Sequence, residues 1–235
     1  MSIGHSAAKR YQDPRDAPLY TVGEAARYLH IPAPTVRSWV QGRDYPRGQG
    51  KARFHPVIKS PEARDSRISF RNLVELAALR ALRTRLGFDL RAVREALNFA
   101  RKEFKVDNLL ASRELYALPA GDLFLKCYGE LINLNRAGQY GIRDMLESLL
   151  ERIEWHEGSP VRFFPALPFD VQRKSKSIVI DPRIAFGHPV VASKSVSTGV
   201  IADRVNAGEE PQEIARDYGV TEDEIKDALA YELAA

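Results

Sequence analysis

The sequence predicts a mainly α-helical protein with small β elements. Two segments, residues 20–40 and 211–235, each show two short apolar-periodic helices that are joined by a tight turn. A basic segment over 42–67 follows the first helix pair and is typical of a β-wing. We therefore expect an N-terminal winged helix-turn-helix, a small α/β middle segment and a C-terminal helical domain of helix-turn-helix-like shape.

The first helix pair begins with a capping box, in which Thr21 and Glu24 satisfy each other's backbone amides. Pro32 opens the second helix, where its missing N–H had no intrahelical partner. The residues expected to face inward are Val22, Ala25, Ala26 and Leu29, followed by Val36, Trp39 and Val40. Thr35, Arg37 and Ser38 remain on the outer face of the second helix. This geometry places a recognition helix in the major groove of DNA.

Charge is distributed unevenly along the chain. Residues 1–70 carry 12 Lys and Arg against 6 Asp and Glu, a net of +6, whereas residues 175–235 carry 6 against 11, a net of −5. Clustered positive charge beside a helix-turn-helix is expected of phosphate contacts. The candidate DNA-binding residues are Thr35, Arg37, Ser38, Arg43, Arg47, Lys51 and Arg53. A run of charged residues usually marks only a solvated face. Here Phe54, Pro56, Val57 and Ile58 lie between the charges, which favours a wing that packs on the helices.

The composition excludes several classes of protein. At 235 residues, 44% hydrophobic and 28% charged, the chain has room for two or three small units. The single Cys127 excludes an internal disulfide framework and is typical of a reducing cytoplasm. No run of 18 apolar residues predicts a membrane span. Residues 1–18 lack the apolar core of a signal peptide, so we expect a disordered arm and a cytoplasmic protein.

After this arm, the winged helix-turn-helix domain is expected over residues 19–105. Ser69 is placed to cap a helix that ends near Gly87, and Asp89 to cap the next helix. These two helices would pack against the first helix pair as its supporting core.

The middle region, 106–170, is expected to hold a hairpin, a helix and a strand. In order, we expect a connector over 109–119, a hairpin turning at Gly129, an amphipathic helix over 142–153 and a strand over 161–164. The apolar stripe of this helix fits either internal core or a dimer surface. A polar linker over 172–177 follows.

The C-terminal domain, 171–235, is expected to form a separate unit. It should contain a strand over 178–180, a glycine-proline turn into a second strand over 186–191, a helix over 198–207, and the second helix pair. Thr221 and Glu224 form another capping box before the last helix. The exposed positions of that helix are Glu222, Asp223, Lys226 and Asp227. Three carboxylates would repel phosphate, which favours a protein contact. DNA contact through Lys226 and Arg216 is the open alternative.

Two stretches carry a resemblance to known families. Residues 20–40, with Thr35-Val36-Arg37-Ser38-Trp39, resemble the N-terminal winged helix of MerR-type regulators. Residues 178–235 are similar to a short antitoxin domain family, through Gly187-His-Pro-Val190, Gly208-Glu-Glu-Pro-Gln-Glu-Ile214, Asp217-Tyr-Gly-Val220 and Ala228-Leu-Ala-Tyr231. One departure is Ser193-Lys194, where the family usually has Gly-Thr after the second strand. Together the two stretches resemble the longer VapB-like antitoxins.

The resemblance implies a protein that binds operator DNA, represses its own operon and neutralises a PIN-type ribonuclease toxin. Antitoxins of such toxins commonly place a basic side chain at the acidic metal site of the toxin. In this chain the C-terminal domain, 171–235, called the tail below, offers Lys174, Lys176 or Lys194 for that role. MerR relatives that sense metals or small ligands use a cysteine cluster or a long dimer helix. The chain shows neither, which argues against that branch.

The remaining chemistry-bearing residues do not indicate an enzyme. The segment Gly48-Gln-Gly-Lys51 lacks the spacing of a phosphate loop. The five histidines show no paired spacing for a metal, and Glu209 and Glu210 lie at helix ends. Cys127 lies in a predicted strand with Lys126 as its one adjacent basic residue, which is typical of a buried structural thiol. We expect no catalytic residues, metal or cofactor.

Two function classes remain: an antitoxin, or a stand-alone regulator whose tail only oligomerises it. In either case we expect a homodimer, because one short recognition helix covers few base pairs.

Overall fold

The structure, a computed structural model, describes residues 12–48, 50–61, 67–86, 90–104, 108–113, 148–167 and 175–234. Its helices are α1 (Val22–Tyr28), α2 (Ala33–Gln41), α3 (Phe70–Leu86), α4 (Leu90–Phe104), α5 (Thr198–Asn206), α6 (Pro211–Tyr218) and α7 (Glu222–Leu233). Its strands are β1 (Arg43–Arg47), β2 (Gly50–Phe54), β3 (Ile153–His156), β4 (Ser159–Phe163), β5 (Ile178–Val179), β6 (Val190–Val191) and β7 (Val196–Ser197). None of these helices is long and apolar enough to cross a membrane.

Helices α1 and α2 form the predicted helix-turn-helix. The capping box is confirmed: the Glu24 amide donates to the Thr21 hydroxyl at 3.1 Å, and the Thr21 amide donates to the Glu24 carboxylate at 2.8 Å. His30 takes a positive φ of 49° in the turn that reverses the chain. All seven residues expected to face inward are at most 7% exposed. The apolar periodicity therefore identified the buried face of both helices.

Residues 12–18 differ from the expected disordered arm. Pro14–Asp16 form a 3₁₀ turn that is capped by Asp13. Arg71 of α3 donates to Asp13 at 3.0 Å and to Asp16 at 2.7 Å. Arg15 also pairs with Asp13, and these bonds lower the pKa of that carboxyl to about 2 although partial burial alone would raise it. Charge pairing with a distant arginine thus orders a segment that has no apolar pattern of its own.

The wing is confirmed as an antiparallel hairpin of β1 and β2, with Arg43 opposite Phe54 and Arg47 opposite Gly50. Most of its residues are exposed. At its base the chain returns to the core, where Val57 and Ile58 are buried and both donate their amides to the Trp39 carbonyl. The wing is therefore attached to the end of α2.

Helix α3 is the centre of the N-terminal core. Ser69 caps it as expected, and Asn72 completes a reciprocal pair: each amide donates to the other's side-chain oxygen at 3.2 Å. Residues from Phe70 to Leu82 are buried on nearly every side. Val93 and Leu97 of α4 join the same core. The expected cap at Asp89 lies outside the described residues.

The middle region is only partly described. The expected hairpin at Gly129 and most of the expected 142–153 helix lie outside the described residues. Ile153 was assigned to that helix, but it begins β3 and pairs with Phe163 of β4. Glu157 and Gly158 both take positive φ, 50° and 75°, as a two-residue hairpin turn requires. Of the strand expected over 161–164, residues 161–163 belong to β4, whereas its partner β3 was not expected.

The tail combines a small sheet with three helices. Strands β5, β6 and β7 pair in that order, all antiparallel, and β7 was not expected from the sequence. Helix α6 ends at Gly219 in the left-handed conformation, and α7 begins with the expected capping box of Thr221 and Glu224. Tyr231 of α7 is fully buried in the core of this unit.

The tail packs directly against α1. The Tyr231 hydroxyl donates to the carbonyl of Tyr28 at 2.7 Å, and a hydrogen bond joins the Tyr28 hydroxyl to His188. His30 donates to the carbonyl of Tyr231 at 3.1 Å. A backbone bridge from Phe163 to Ile180 connects β4 to the same unit. The tail expected as a separate unit therefore shares an interface with the helix-turn-helix.

Gly187 closes this interface, and its replacement should destabilise the fold. A Cβ there would lie 2.3 Å from the Tyr20 hydroxyl, at a φ of +80°. Gly158 has a similar φ of +75° but open space around it, so Gly158→Ala is the matched control. We expect Gly158→Ala to cost about 1–2 kcal/mol from backbone strain. Gly187→Ala should cost about 1–3 kcal/mol more from overpacking. Urea unfolding measures both, and equal losses would contradict the interface.

Candidate nucleic-acid interface

The outer side of α2 presents the predicted recognition residues. Arg37 is exposed, whereas Thr35 and Ser38 are half-buried. Because an α-helix turns by about 100° per residue, Thr35 and Arg37 lie about 160° apart around the axis. They therefore flank the exposed side of α2 from opposite directions, with Ser38 between them.

The register of the wing divides its four predicted basic residues into two pairs. Directly paired residues share a face of a hairpin, and successive residues alternate. Arg53 pairs with Asp44, and Lys51 pairs with Pro46. Lys51 and Arg53 therefore lie on the face opposite to Arg43 and Arg47, a division that sequence spacing does not reveal.

Arg53 is not an isolated positive charge. Its guanidinium lies 3.4 Å from the Asp44 carboxylate and also donates to the Gln41 carbonyl at 3.4 Å. Both charged side chains of the pair are 57% exposed, so the pair is weak and can exchange for another anion. The bond to Gln41 holds Arg53 of the wing beside the C-terminal end of α2.

A groove beside α2 is lined by arginines from two elements, β1 and α3. It encloses about 430 Å³, and its polar lining comes from His30, Thr35 and Ser38, Arg43 of β1, and Arg80 and Arg83 of α3. None of the described residues that line it is acidic. Arg80 and Arg83 were missed by the sequence reasoning. Their signal was available, because two arginines three residues apart interrupt the apolar pattern of α3.

His30 lies at the inner end of this groove. Burial lowers its pKa, and the positive charge of Arg80 lowers it further, although the bond to the Tyr231 carbonyl acts in the opposite direction. A lowered pKa keeps the ring neutral at neutral pH. His30 therefore joins the tail to the turn of the helix-turn-helix, and the positive charge of the groove comes from its arginines.

The four predicted protein-contact residues are not equivalent. Glu222, Asp223 and Lys226 are exposed, and Lys226 pairs with Asp223 at 3.1 Å. Asp227 is half-buried and accepts hydrogen bonds from the hydroxyls of Ser175 at 3.0 Å and Ser177 at 2.5 Å. It holds the segment before β5 against α7, which corrects its placement on the outer face.

Two of the three lysines suggested for the toxin contact are described. Lys176 lies over the Phe164 ring at 5.2 Å, and Lys194 is exposed in the turn between β6 and β7. Lys174 lies outside the described residues. Among the described residues, no group of three His, Cys, Asp or Glu side chains is placed to hold a metal ion.

Two protein families match different parts of the chain. Residues 18–97 match a family described as "Putative DNA-binding HTH domain". Residues 178–231 match one described as "Protein of unknown function (DUF433)". The crystal structure of Rv2018 from Mycobacterium tuberculosis superposes with a TM-score of 0.66 at 26% identity, covering 91% of this chain and 98% of that one.

Two curated proteins of the same organism match along nearly the whole chain. "Uncharacterized protein Rv2308" is 29% identical over 224 residues, which cover 92% of this chain and 90% of that protein. "Putative antitoxin VapB45" is 31% identical over 230 residues, which cover 91% of this chain and 93% of that protein. The chain therefore belongs to the family of antitoxin-like helix-turn-helix proteins that includes VapB45.

Proposed function

We propose that this protein is the antitoxin of a type II toxin–antitoxin pair. It binds operator DNA through α2 and the wing, represses its own operon, and neutralises a PIN-type ribonuclease. The observation that carries the DNA half is the exposed Arg37 on α2 beside a hairpin whose four basic residues, Arg43, Arg47, Lys51 and Arg53, are all exposed. The sequence match to an antitoxin-named relative supports the other half. In this proposal the N-terminal winged helix-turn-helix domain is of the MerR type, and the protein acts without catalysis.

DNA binding should depend on Arg37 and Arg53. Arg37→Ala and Arg53→Ala each remove a charge-assisted contact, so each should weaken operator binding by about 1–3 kcal/mol. The log–log salt slope should become shallower by about one for each lost phosphate contact.

Arg113→Ala is the matched control, since this exposed arginine follows the 3₁₀ turn at Leu109–Ala111, away from α2 and the wing. Fluorescence anisotropy with a duplex from the upstream region measures all three. Unchanged binding by both Arg37→Ala and Arg53→Ala, with intact circular dichroism, would refute the assignment of α2 and the wing to DNA binding.

We further propose that the protein is a homodimer on DNA. One recognition helix and one wing contact few base pairs, and two-fold pairing doubles these contacts on a palindromic site. Light scattering at micromolar concentration should report twice the chain mass of 26.4 kDa without DNA, and that mass plus the mass of one duplex with DNA. A monomer under both conditions would contradict this proposal.

The toxin is proposed to bind the tail. Glu222 and Asp223 form an exposed acidic face on α7, which favours association with a basic surface and should lose this advantage in salt. The tail also exposes Phe186, a residue that is 86% accessible to solvent. Exposed aromatic side chains of this kind are frequent anchors of protein interfaces.

Toxin capture should therefore fail in two tail variants without loss of DNA binding. Glu222→Lys combined with Asp223→Lys reverses the acidic face, and Phe186→Ala removes the aromatic anchor. Asp203→Lys, on the exposed side of α5, is the control for a charge change elsewhere on the tail. Co-purification with a co-expressed PIN-type ribonuclease measures capture. Full capture by both variants would contradict a tail contact at these surfaces.

A stand-alone regulator is the alternative. The observation that favours it is the bonding of Asp227 to Ser175 and Ser177, which leaves a smaller acidic face for a partner. A gene for a ribonuclease directly beside this one would decide for the antitoxin.

A further inference from the structure

The turn between β5 and β6 contains three consecutive residues in left-handed conformation. Ala185, Phe186 and Gly187 have φ values of 46°, 54° and 80°. Left-handed backbone is unfavourable for a residue with a Cβ, so Ala185 and Phe186 each store strain. Burial of the Phe186 ring does not offset this cost, because the residue is 86% exposed to solvent. The contacts of neighbouring residues must therefore hold the turn closed.

His188 supplies the main polar contact of the closed turn. A hydrogen bond of 2.5 Å joins its imidazole to the Tyr28 hydroxyl, and the two rings meet edge to face at 84°. Within the turn, the amides of Gly187 and His188 donate to the carbonyls of Ile184 and Ala185 at 2.8 Å and 3.0 Å. Amides bonded in this way exchange with solvent when the turn opens. They therefore report on its opening.

The Tyr20 hydroxyl acts against closure of the turn. Tyr20 is 2% exposed, and no group among the described residues forms a hydrogen bond with its hydroxyl, over which Gly187 lies. Burial raises the pKa of Tyr20, and the charge of nearby Asp181 raises it further. The Asp181 carboxylate accepts bonds from Arg162 and Arg183 instead. Because an unpaired buried hydroxyl costs free energy, contact with water would stabilise it.

Backbone bonds fix the structure on both sides of the turn. Tyr20 donates its amide to the Ile68 carbonyl at 3.0 Å, and Ile68 donates to the Tyr20 carbonyl at 2.7 Å. On the tail side β5 pairs with β6, and Ile180 exchanges two backbone bonds with Phe163. Tyr20 therefore cannot move away from the turn without breaking its own bonds. Opening can be confined to the residues between the two paired strands.

We propose that residues 185–188 form a strained latch over Tyr20 and Tyr28, which opens locally while β5 and β6 stay paired. The bond of His188 favours the closed latch, whereas the left-handed backbone and the unpaired Tyr20 hydroxyl favour the open one. Opening lets water reach both tyrosine hydroxyls and removes one contact between the tail and α1. The latch requires neither DNA nor a toxin, so it goes beyond the proposed function.

Three Tyr→Phe variants of the full chain test the latch, because each removes one hydroxyl from a different environment. Amide hydrogen exchange by NMR measures the opening at Gly187 and His188. Tyr20→Phe removes the unpaired hydroxyl and should slow exchange at both amides by about tenfold. Tyr28→Phe removes the partner of His188 and should speed exchange by about threefold. Tyr45→Phe, on an exposed position of the wing, is the matched control and should leave both rates unchanged.

A second amide separates local opening from unfolding of the whole tail. The Val220 amide donates to the Ala215 carbonyl at 3.0 Å, in the turn between α6 and α7. Its exchange rate should be the same in all three variants and in the wild type. An equal slowing of Val220 in Tyr20→Phe would show that the tail opens as a whole, and this would overturn the latch. Unchanged or faster exchange of Gly187 and His188 in Tyr20→Phe would also overturn it.

Discussion

The contact between α1 and the tail is the interaction on which the arrangement of this protein depends. Tyr28 is fully buried, its carbonyl accepts a bond from Tyr231, and its hydroxyl pairs with His188. The partners lie 160 and 203 residues further along the chain. One side of α1 packs on α2, and the tail covers another. Since close-packed interiors tolerate little displacement, the tail helps to fix the orientation of the recognition helix.

Backbone strain is concentrated where the tail meets α1. Ala185 and Phe186 take φ values of 46° and 54°, followed by Gly187 at 80°. Left-handed conformations are unfavourable for residues with a Cβ, so the surrounding contacts must stabilise this turn. Gly187 lies against Tyr20, and the next residue, His188, bonds to Tyr28. The same turn thus docks the tail and exposes the Phe186 ring to solvent.

Acidic and basic residues are unevenly distributed along the chain. Three arginines line the groove beside α2, whereas much of the acidic charge of the tail lies on α6 and α7. Some of that acidic charge is compensated inside the tail, because Arg204 pairs with both Glu209 and Asp217 and lies over the Tyr218 ring. In the proposed function, nucleic acid would contact α2 and the wing, whereas the protein partner would contact the exposed acidic residues of α7.

The sequence by itself determined the local elements and the faces they bury. Capping boxes at Thr21 and Thr221, together with 3.6-residue periodicity, predicted α1, α2 and α7, because these signals depend on residues within one or two helical turns. The exposure of Arg37 followed from the same periodicity. Short strands such as β3 and β7 were missed, since their pairing partners rather than their own residues define them.

Only the tertiary structure decided what depends on contacts between distant segments. The docking of the tail on α1, the pairing of Arg71 with Asp13 and Asp16, and the enclosure of Asp227 by two serines involve separations of about 50 residues or more. The gathering of Arg80 with Arg43 beside α2 belongs to the same class. Long-range packing selects one among many possible arrangements of the same amphipathic elements, and a linear pattern carries no record of that choice.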